Sequence, residues 1–339
     1  MKRIIVNLLL GTMVIAALVM TGCGEKKAEE TAAVTESSES TTAATEAVEE
    51  IKEEETEEST ESEAEALLEE GEAYYNGKDG AEPDYVKAME CFQKAAEMES
   101  AEAFNKMGIM YYFGNSVEVD YAKAMEYFQQ AADGGSASAL NNIAAMYKNG
   151  TAGETNYAKA MEYYQKSADM GDAYAMCEIG LMYYEGKDVE VDYAKALEYF
   201  QKASDAGDAY ATNMLGQIYR FGKGVEPDYA KALEYYQKAA DSGEKNALYN
   251  VADMYEYGFD YGIGRDFEKS KEYYEKSANA GNPNAMYVLA QKYETGFGVD
   301  KDINTALKWA MMAKENGYNA EEADHLIEKL KAEGATYNE

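Results

Sequence analysis

Apolar residues along this chain fall into two alternating helical registers, separated by short glycine-rich turns. The stretch 208–243 shows the pattern most plainly. Ala211, Leu215, Ile218 and Tyr219 recur at the spacing of one helix face. The turn Phe221-Gly222-Lys223-Gly224-Val225-Glu226-Pro227 follows, and Ala232, Tyr235, Tyr236 and Ala239 form a second stripe. Asp208 and Asp228 stand at the two helix starts, where a carboxylate accepts from free backbone amides. Gly207 and Gly243 stand where each unit's second helix should stop. The pattern predicts two helices joined by a turn.

That unit repeats. Asp84-Tyr85-Val86-Lys87-Ala88 returns in altered form from Asp120, Asn156, Asp192, Asp228, Asp266 and Asp302, at spacings of 36, 36, 36, 36, 38 and 36 residues. A fixed period of this length marks a stacked solenoid, whose units bury their apolar faces only against neighbours. Gly216 lies inside a predicted helix, where glycine costs about 1 kcal/mol relative to alanine. The equivalent positions are Gly71, Gly108, Ala144, Gly180, Ala252 and Ala290, so a close helix contact is expected there.

The 339 residues include 31 basic and 64 acidic ones, a formal charge of −33. Such an excess of acid argues against nucleic acid, whose binding depends on lysine and arginine neutralising phosphates. Met1-Lys2-Arg3 followed by the apolar run Ile4 to Met20 reads as an export signal over 1–22. Met20-Thr21-Gly22-Cys23 resembles a bacterial lipobox, which makes Cys23 the expected lipidated first residue of the mature protein. Residues 23–62 then form a tether rich in Glu, Thr, Ala and Ser, with too little apolar surface to fold alone. Cys91 and Cys177 lie three units apart and are expected as small buried hydrophobes, not a disulfide.

Candidate chemistry is sparse. His325 is the one histidine, so a histidine metal cluster cannot form within the chain. Most carboxylates occupy helix starts or outward helical sites. The insertion Phe259-Asp260-Tyr261-Gly262-Ile263-Gly264-Arg265-Asp266 lacks the alternating acids of a calcium loop. No cofactor is expected.

The motifs Ala-x-x-x-Leu-Gly-x-x-Tyr (Ala211 to Tyr219), Gly-x-Gly-Val (Gly222 to Val225), Asp-Tyr-x-Lys-Ala (Asp228 to Ala232) and Lys-Ala-Ala-x-x-Gly (Lys238 to Gly243) resemble the Sel-one-like repeat family, relatives of tetratricopeptide repeats. The resemblance covers seven units over 63–318 and a lone C-terminal capping helix over 319–334. Departures are Glu99 where other units have Gly, the insertion before Asp266, and Trp309-Ala310 for an aromatic pair. The resemblance implies an all-α, right-handed α–α superhelix whose first helices line a concave face.

With each unit's Ala as position zero, positions two, three, six and nine point away from the apolar stripe at about 100° per residue. The resemblance makes these the groove that meets a partner. Its candidate residues are Asn105, Ile109, Tyr112, Asn141, Lys148, Leu181, Tyr184, Asn213, Gln217, Arg220, Tyr249, Asp253, Tyr287 and Gln291. Asparagine both donates to and accepts from an extended backbone, and tyrosine offers flat area with a polar tip.

The expected function is a non-enzymatic scaffold, lipid-anchored outside the cytoplasm in a bacterial envelope, that binds protein or peptide partners. Cell-wall glycan binding is the alternative class. A cell-wall hydrolase ranks third, since the paired cysteines of the family's cysteine-rich members are missing. Replacing the anchor residue, Cys23→Ala, should move the protein from the membrane to the soluble fraction; full membrane retention would refute lipidation.

Overall fold

Each repeat folds as a hairpin of two helices, and the hairpins follow one another along the chain. The computed structural model describes residues 60–78, 81–258 and 260–337. The chain divides into units Met1–Ser59 and Thr60–Glu339, and the fold set out below is that of the second. The export segment, Cys23 and the tether through residue 59 lie outside the described residues.

The first helices of the hairpins are α1 (60–76), α3 (Ala101–Phe113), α5 (Ala137–Asn149), α7 (Ala173–Glu185), α9 (Ala209–Phe221), α11 (Lys245–Glu256) and α13 (Pro283–Thr295). Their second helices are α2 (Tyr85–Glu97), α4 (Tyr121–Asp133), α6 (Tyr157–Asp169), α8 (Tyr193–Asp205), α10 (Tyr229–Asp241), α12 (Phe267–Asn279) and α14 (Ile303–Glu315). The lone helix α15 (Ala320–Ala332) follows, and no strand occurs among the described residues. Helix α1 already includes 60–62, three residues that composition had placed in the tether.

The repeated Asp/Asn residues cap the second helices as their positions predict. Asp84, Asp120, Asn156, Asp192, Asp228, Asp266 and Asp302 each accept from a backbone amide of the following first turn. Their own amides point the other way: that of Asp120 donates to the carbonyl of Tyr111 at 2.9 Å, and the bond recurs in every hairpin from Tyr74 to Tyr293. One residue therefore closes the turn and starts the helix.

The seam inside the hairpin explains the small residues. Phe92, Phe128, Tyr164, Phe200, Tyr236 and Tyr274 are almost wholly buried on the second helices. A Cβ placed on Gly108, Gly180 or Gly216 would stand 2.6, 2.7 or 2.5 Å from the rings of Phe128, Phe200 and Tyr236. The helix backbone itself forms the wall for the ring, so its propensity cost is met by packing. Between hairpins, positions zero, four and seven of each later first helix rest on the preceding second helix. Met107 and Met110 share a cluster with Met89 and Phe92, and Ile179 and Met182 share one with Tyr164.

A second aromatic layer runs outside this core. Tyr111, Tyr147, Tyr183, Tyr219 and Tyr255 stack on Tyr127, Tyr163, Tyr199, Tyr235 and Tyr273, with ring centroids 5.5 to 6.1 Å apart. The second-helix lysines Lys123, Lys159, Lys195, Lys231 and Lys269 lie 4.1 to 5.0 Å over the first ring. Half-buried tyrosine thus keeps a wet edge while its face meets a cation.

Two stability outcomes follow from this packing. Gly180→Leu should overpack the ring of Phe200 and lower the unfolding free energy by about 1–3 kcal/mol, measured by urea melts. Glu99 carries φ of +60°, where the other hairpins place glycine, as at Gly135 and Gly171. Relief of that left-handed strain means Glu99→Gly should raise stability by about 1 kcal/mol; a lower melting midpoint would contradict the strain.

Candidate partner-binding face of the first helices

Neighbouring first helices touch through the residues proposed for partner binding, and most of those residues are already in use. Position two is not open. Asn105, Asn141, Asn213 and Cys177 are all buried. The Asn105 carboxamide oxygen accepts from Asn142 of the next hairpin at 2.8 Å, and Asn213 accepts from Asn250 in the same way at 2.8 Å. Asn141 donates to Asp172 at 2.9 Å, the residue that caps α7. The outward expectation for this row fails because a first helix has neighbours on three sides. Its own second helix, the preceding second helix and the adjacent first helices leave only a narrow strip to solvent.

Positions three, six and nine carry charge across the same boundaries. Lys148 pairs with Glu178 at 2.7 Å, and Lys106 with Glu72 at 2.6 Å. Arg220 pairs with Asp253 and also donates to the Tyr261 hydroxyl at 2.8 Å. Tyr261 belongs to the two-residue insertion and packs on Tyr229 at 4.8 Å, so the longer turn braces this ion pair. Burial lifts the Asp253 carboxyl above its usual range against the pull of Arg220. Burial likewise pushes up the Cys177 thiol, which argues for an inert packing role; Cys177 and Cys91 are free and buried.

The aromatic candidates are partly occupied by their own neighbours. Tyr112 packs on Tyr121 at 5.2 Å, Tyr184 on Tyr193 at 5.4 Å, Tyr249 on Tyr274 at 5.4 Å and Tyr287 on Tyr318 at 4.1 Å. Leu181 packs against the cluster around Phe200. Gln217 is half-buried and Gln291 exposed.

What remains open is a repeating cleft between adjacent first helices, floored by the seam aromatic. Between α3 and α5 it holds about 200 Å³ and is walled by Ile109, Tyr112, Phe113, Asn142 and Ala145 over Phe128. Between α1 and α3 the equivalent positions Glu72, Tyr75, Asn76, Lys106 and Ile109 enclose about 160 Å³ over Phe92. Ile109 lines both. The protein's own pairs bridge the same positions at the α1–α3 boundary, through Lys106–Glu72, and at two later ones, through Lys148–Glu178 and Arg220–Asp253.

The equivalent cleft between α11 and α13 is larger, about 370 Å³, and charged. Asp253, Glu256, Gln291 and Glu294 line it beside the exposed rings of Tyr257 and Phe297. Lys292 stands where the first helices α3, α5, α7, α9 and α11 carry methionine or isoleucine, and it is buried against Glu256, which also accepts from Ser270 at 3.1 Å. Its ammonium lies 5.0 Å from the Phe297 ring centroid and 5.5 Å from that of Tyr274. Two buried charges are tolerated because each satisfies the other. Glu294 is held by Lys329 of α15.

Sequence reasoning missed Phe113, Phe128, Tyr257 and Phe297, while Asn142 and Ala145 fall at the expected positions three and six. Position ten, which holds Phe113 and Tyr257, carried the available signal: an apolar residue at the exposed end of a first helix. Among the described residues no group of three His, Cys, Asp or Glu is placed to hold a metal ion.

Comparison with known proteins agrees with this architecture. Residues 64–100, 101–136, 137–172, 173–208, 209–244, 245–282 and 283–318 each match the Sel1 repeat. The chain is similar to a Sel1 repeat protein from Oxalobacter formigenes, with 30% identity and a TM-score of 0.66, over 73% of this chain and 99% of that one. It is also similar to a protective antigen present in uropathogenic Escherichia coli strains and displaying an SLR fold. That match has 31% identity and a TM-score of 0.62, and covers 83% of this chain but 60% of the antigen. No curated protein sequence matches the chain. Seven matches without a gap from 64 to 318, on hairpins of one geometry, place this chain in the Sel1 repeat family.

Proposed function

We propose that the chain is a non-enzymatic, lipid-anchored scaffold outside the cytoplasm that binds a protein or peptide along its first-helix face. A Sel1 repeat solenoid is a fold that commonly mediates protein–protein interaction. The observation that supports this use here is the pair of successive open clefts sharing Ile109, one repeat apart. They offer apolar depth beside the amides of Asn76 and Asn142, which suits side chains of an extended segment whose backbone still needs hydrogen-bond partners. The buried asparagines set the spacing of the clefts and do not themselves meet the partner.

A glycan reading has one feature in its favour. Tyr257 and Phe297 stand exposed beside the carboxylates and amide of the α11–α13 cleft.

The two readings separate by where a block acts. Ile109→Arg with Ala145→Arg puts cations into both apolar clefts without touching a buried hydrogen bond. In-cell cross-linking read by mass spectrometry should then lose its principal protein partner, with affinity for that partner falling by about 2 kcal/mol or near thirtyfold. Unchanged cross-links in a folded variant, with retention of envelope glycan instead, would overturn the protein-binding reading.

A further inference from the structure

We infer that the face of α1 that no described second helix covers seats a basic amphipathic helix supplied by a partner protein. The repeat itself says what shape belongs there. In every later first helix, positions zero, four and seven are covered by the second helix of the hairpin before. Leu215 and Ile218 rest with Phe200 and Ala203, while Val251 and Met254 rest with Tyr236 and Ala239. Even the lone α15 buries Leu326, Ile327 and Leu330 in the cluster of α14. On α1 the same positions are Ala66, Glu70 and Ala73, and no described second helix precedes it. A cleft of about 630 Å³ lies there, bounded by these residues with Glu69, Tyr74 and Glu82, and by the cations Lys78 and Lys87.

Charge selects among occupants. Glu69, Glu70 and Glu82 are exposed and make no ion pair with any described residue, while Lys87 is held by Asp84 at 3.1 Å. Residues 63–136 carry 16 acidic against 5 basic residues, a net −11. The chain's own leader segment 24–59 has 13 acidic and 3 basic residues, the same sign of charge as this face. A second copy offers α15, a first-type helix whose exposed side carries Glu321, Glu322 and Glu328, wrong in both type and sign. The face therefore fits a foreign helix of about 13 residues, near 20 Å long. It needs small apolar residues over Ala66 and Ala73, and a lysine or arginine within that stripe to meet Glu70. Flanking basic residues would reach Glu69 and Glu82.

A fluorescein-labelled amphipathic Ala/Leu/Lys peptide of ~18 residues is long enough to hold a helix on binding and serves as the probe. Anisotropy titrations use the full chain, at about 150 mM salt, where diffuse attraction is screened. The variant Glu69→Lys/Glu70→Lys/Glu82→Lys should lose about tenfold or more in affinity. The control Glu126→Lys/Glu234→Lys/Glu268→Lys makes the same charge change on exposed second-helix sites and should lose less than about threefold. Equal losses in the two variants, or none in the first, overturn the proposal. A photo-cross-linker at Ala66 should capture the probe; capture of residues 24–59 or of a second copy in its place also overturns it. The block at Ile109 and Ala145 leaves this binding unchanged, so its failure and that of the groove reading are distinguishable.

Discussion

The close approach of a small residue to a buried ring is the contact on which each hairpin depends. Where Gly108 faces Phe128, the wall of the ring's pocket is main chain, and a Cβ added there would stand 2.6 Å from the ring. This sets the distance between the two helices of a hairpin, and with it the height of the next layer. The aspartate caps act on the same geometry from the turn side. An N-cap amide bonded to the tyrosine carbonyl above it fixes where the second helix begins, and hence which residue meets the glycine. Caps and seam together make the hairpin a rigid unit, and the core between hairpins only has to match rigid units.

Polar contacts have a different task. Methionine, leucine and alanine stripes would let one hairpin slide on another, since apolar burial is not directional. The asparagine bonds Asn142–Asn105 and Asn250–Asn213, and the pairs Lys148–Glu178 and Arg220–Asp253, each join specified residues of successive first helices. Buried or nearly buried, an unpaired member of such a set is costly, so register is enforced even where net stabilisation is small. The consequence for binding is direct. Residues that specify the stack are withdrawn from the partner, and the surface left over is the cleft space beside these pairs, as at α1–α3 and α3–α5.

Much of this was readable in the residues. Period, hairpin, caps and small-residue seam all come from signals that repeat, and seven copies average away the ambiguity of one; Glu99 stands out in sequence only as a departure from glycine, and its left-handed backbone is a structural finding. The candidate face was read less well for a physical reason. A helical wheel divides positions into inside and outside, but a solenoid helix has an inside, two flanks and a strip. Asn105 and Asn213 are flank residues, and their polarity looked like exposure. Lys292 misleads in the opposite direction: it occupies a core position, and only Glu256 and three aromatic rings from other segments make that charge tenable.

Departures from the repeat cluster rather than scatter, and that clustering has a cause in nearest-neighbour energetics. In a solenoid each hairpin is stabilised by the two beside it, so a change in one can be offset only by a change next door. The insertion before Asp266 supplies Tyr261 to Arg220, Arg220 pairs with Asp253, and Glu256, one turn on, pairs with Lys292 of the following helix. The fifth, sixth and seventh hairpins thus depart from the repeat as a linked set that lines a charged cleft while Arg220, Asp253, Glu256 and Lys292 are all paired. The N-terminal hairpins have a more apolar boundary around Ile109, and the acids Glu69, Glu70 and Glu82 are exposed, so water still reaches them. One fold therefore presents two chemically different surfaces along a single row of first helices, and the difference arises where neighbours, not single positions, changed together.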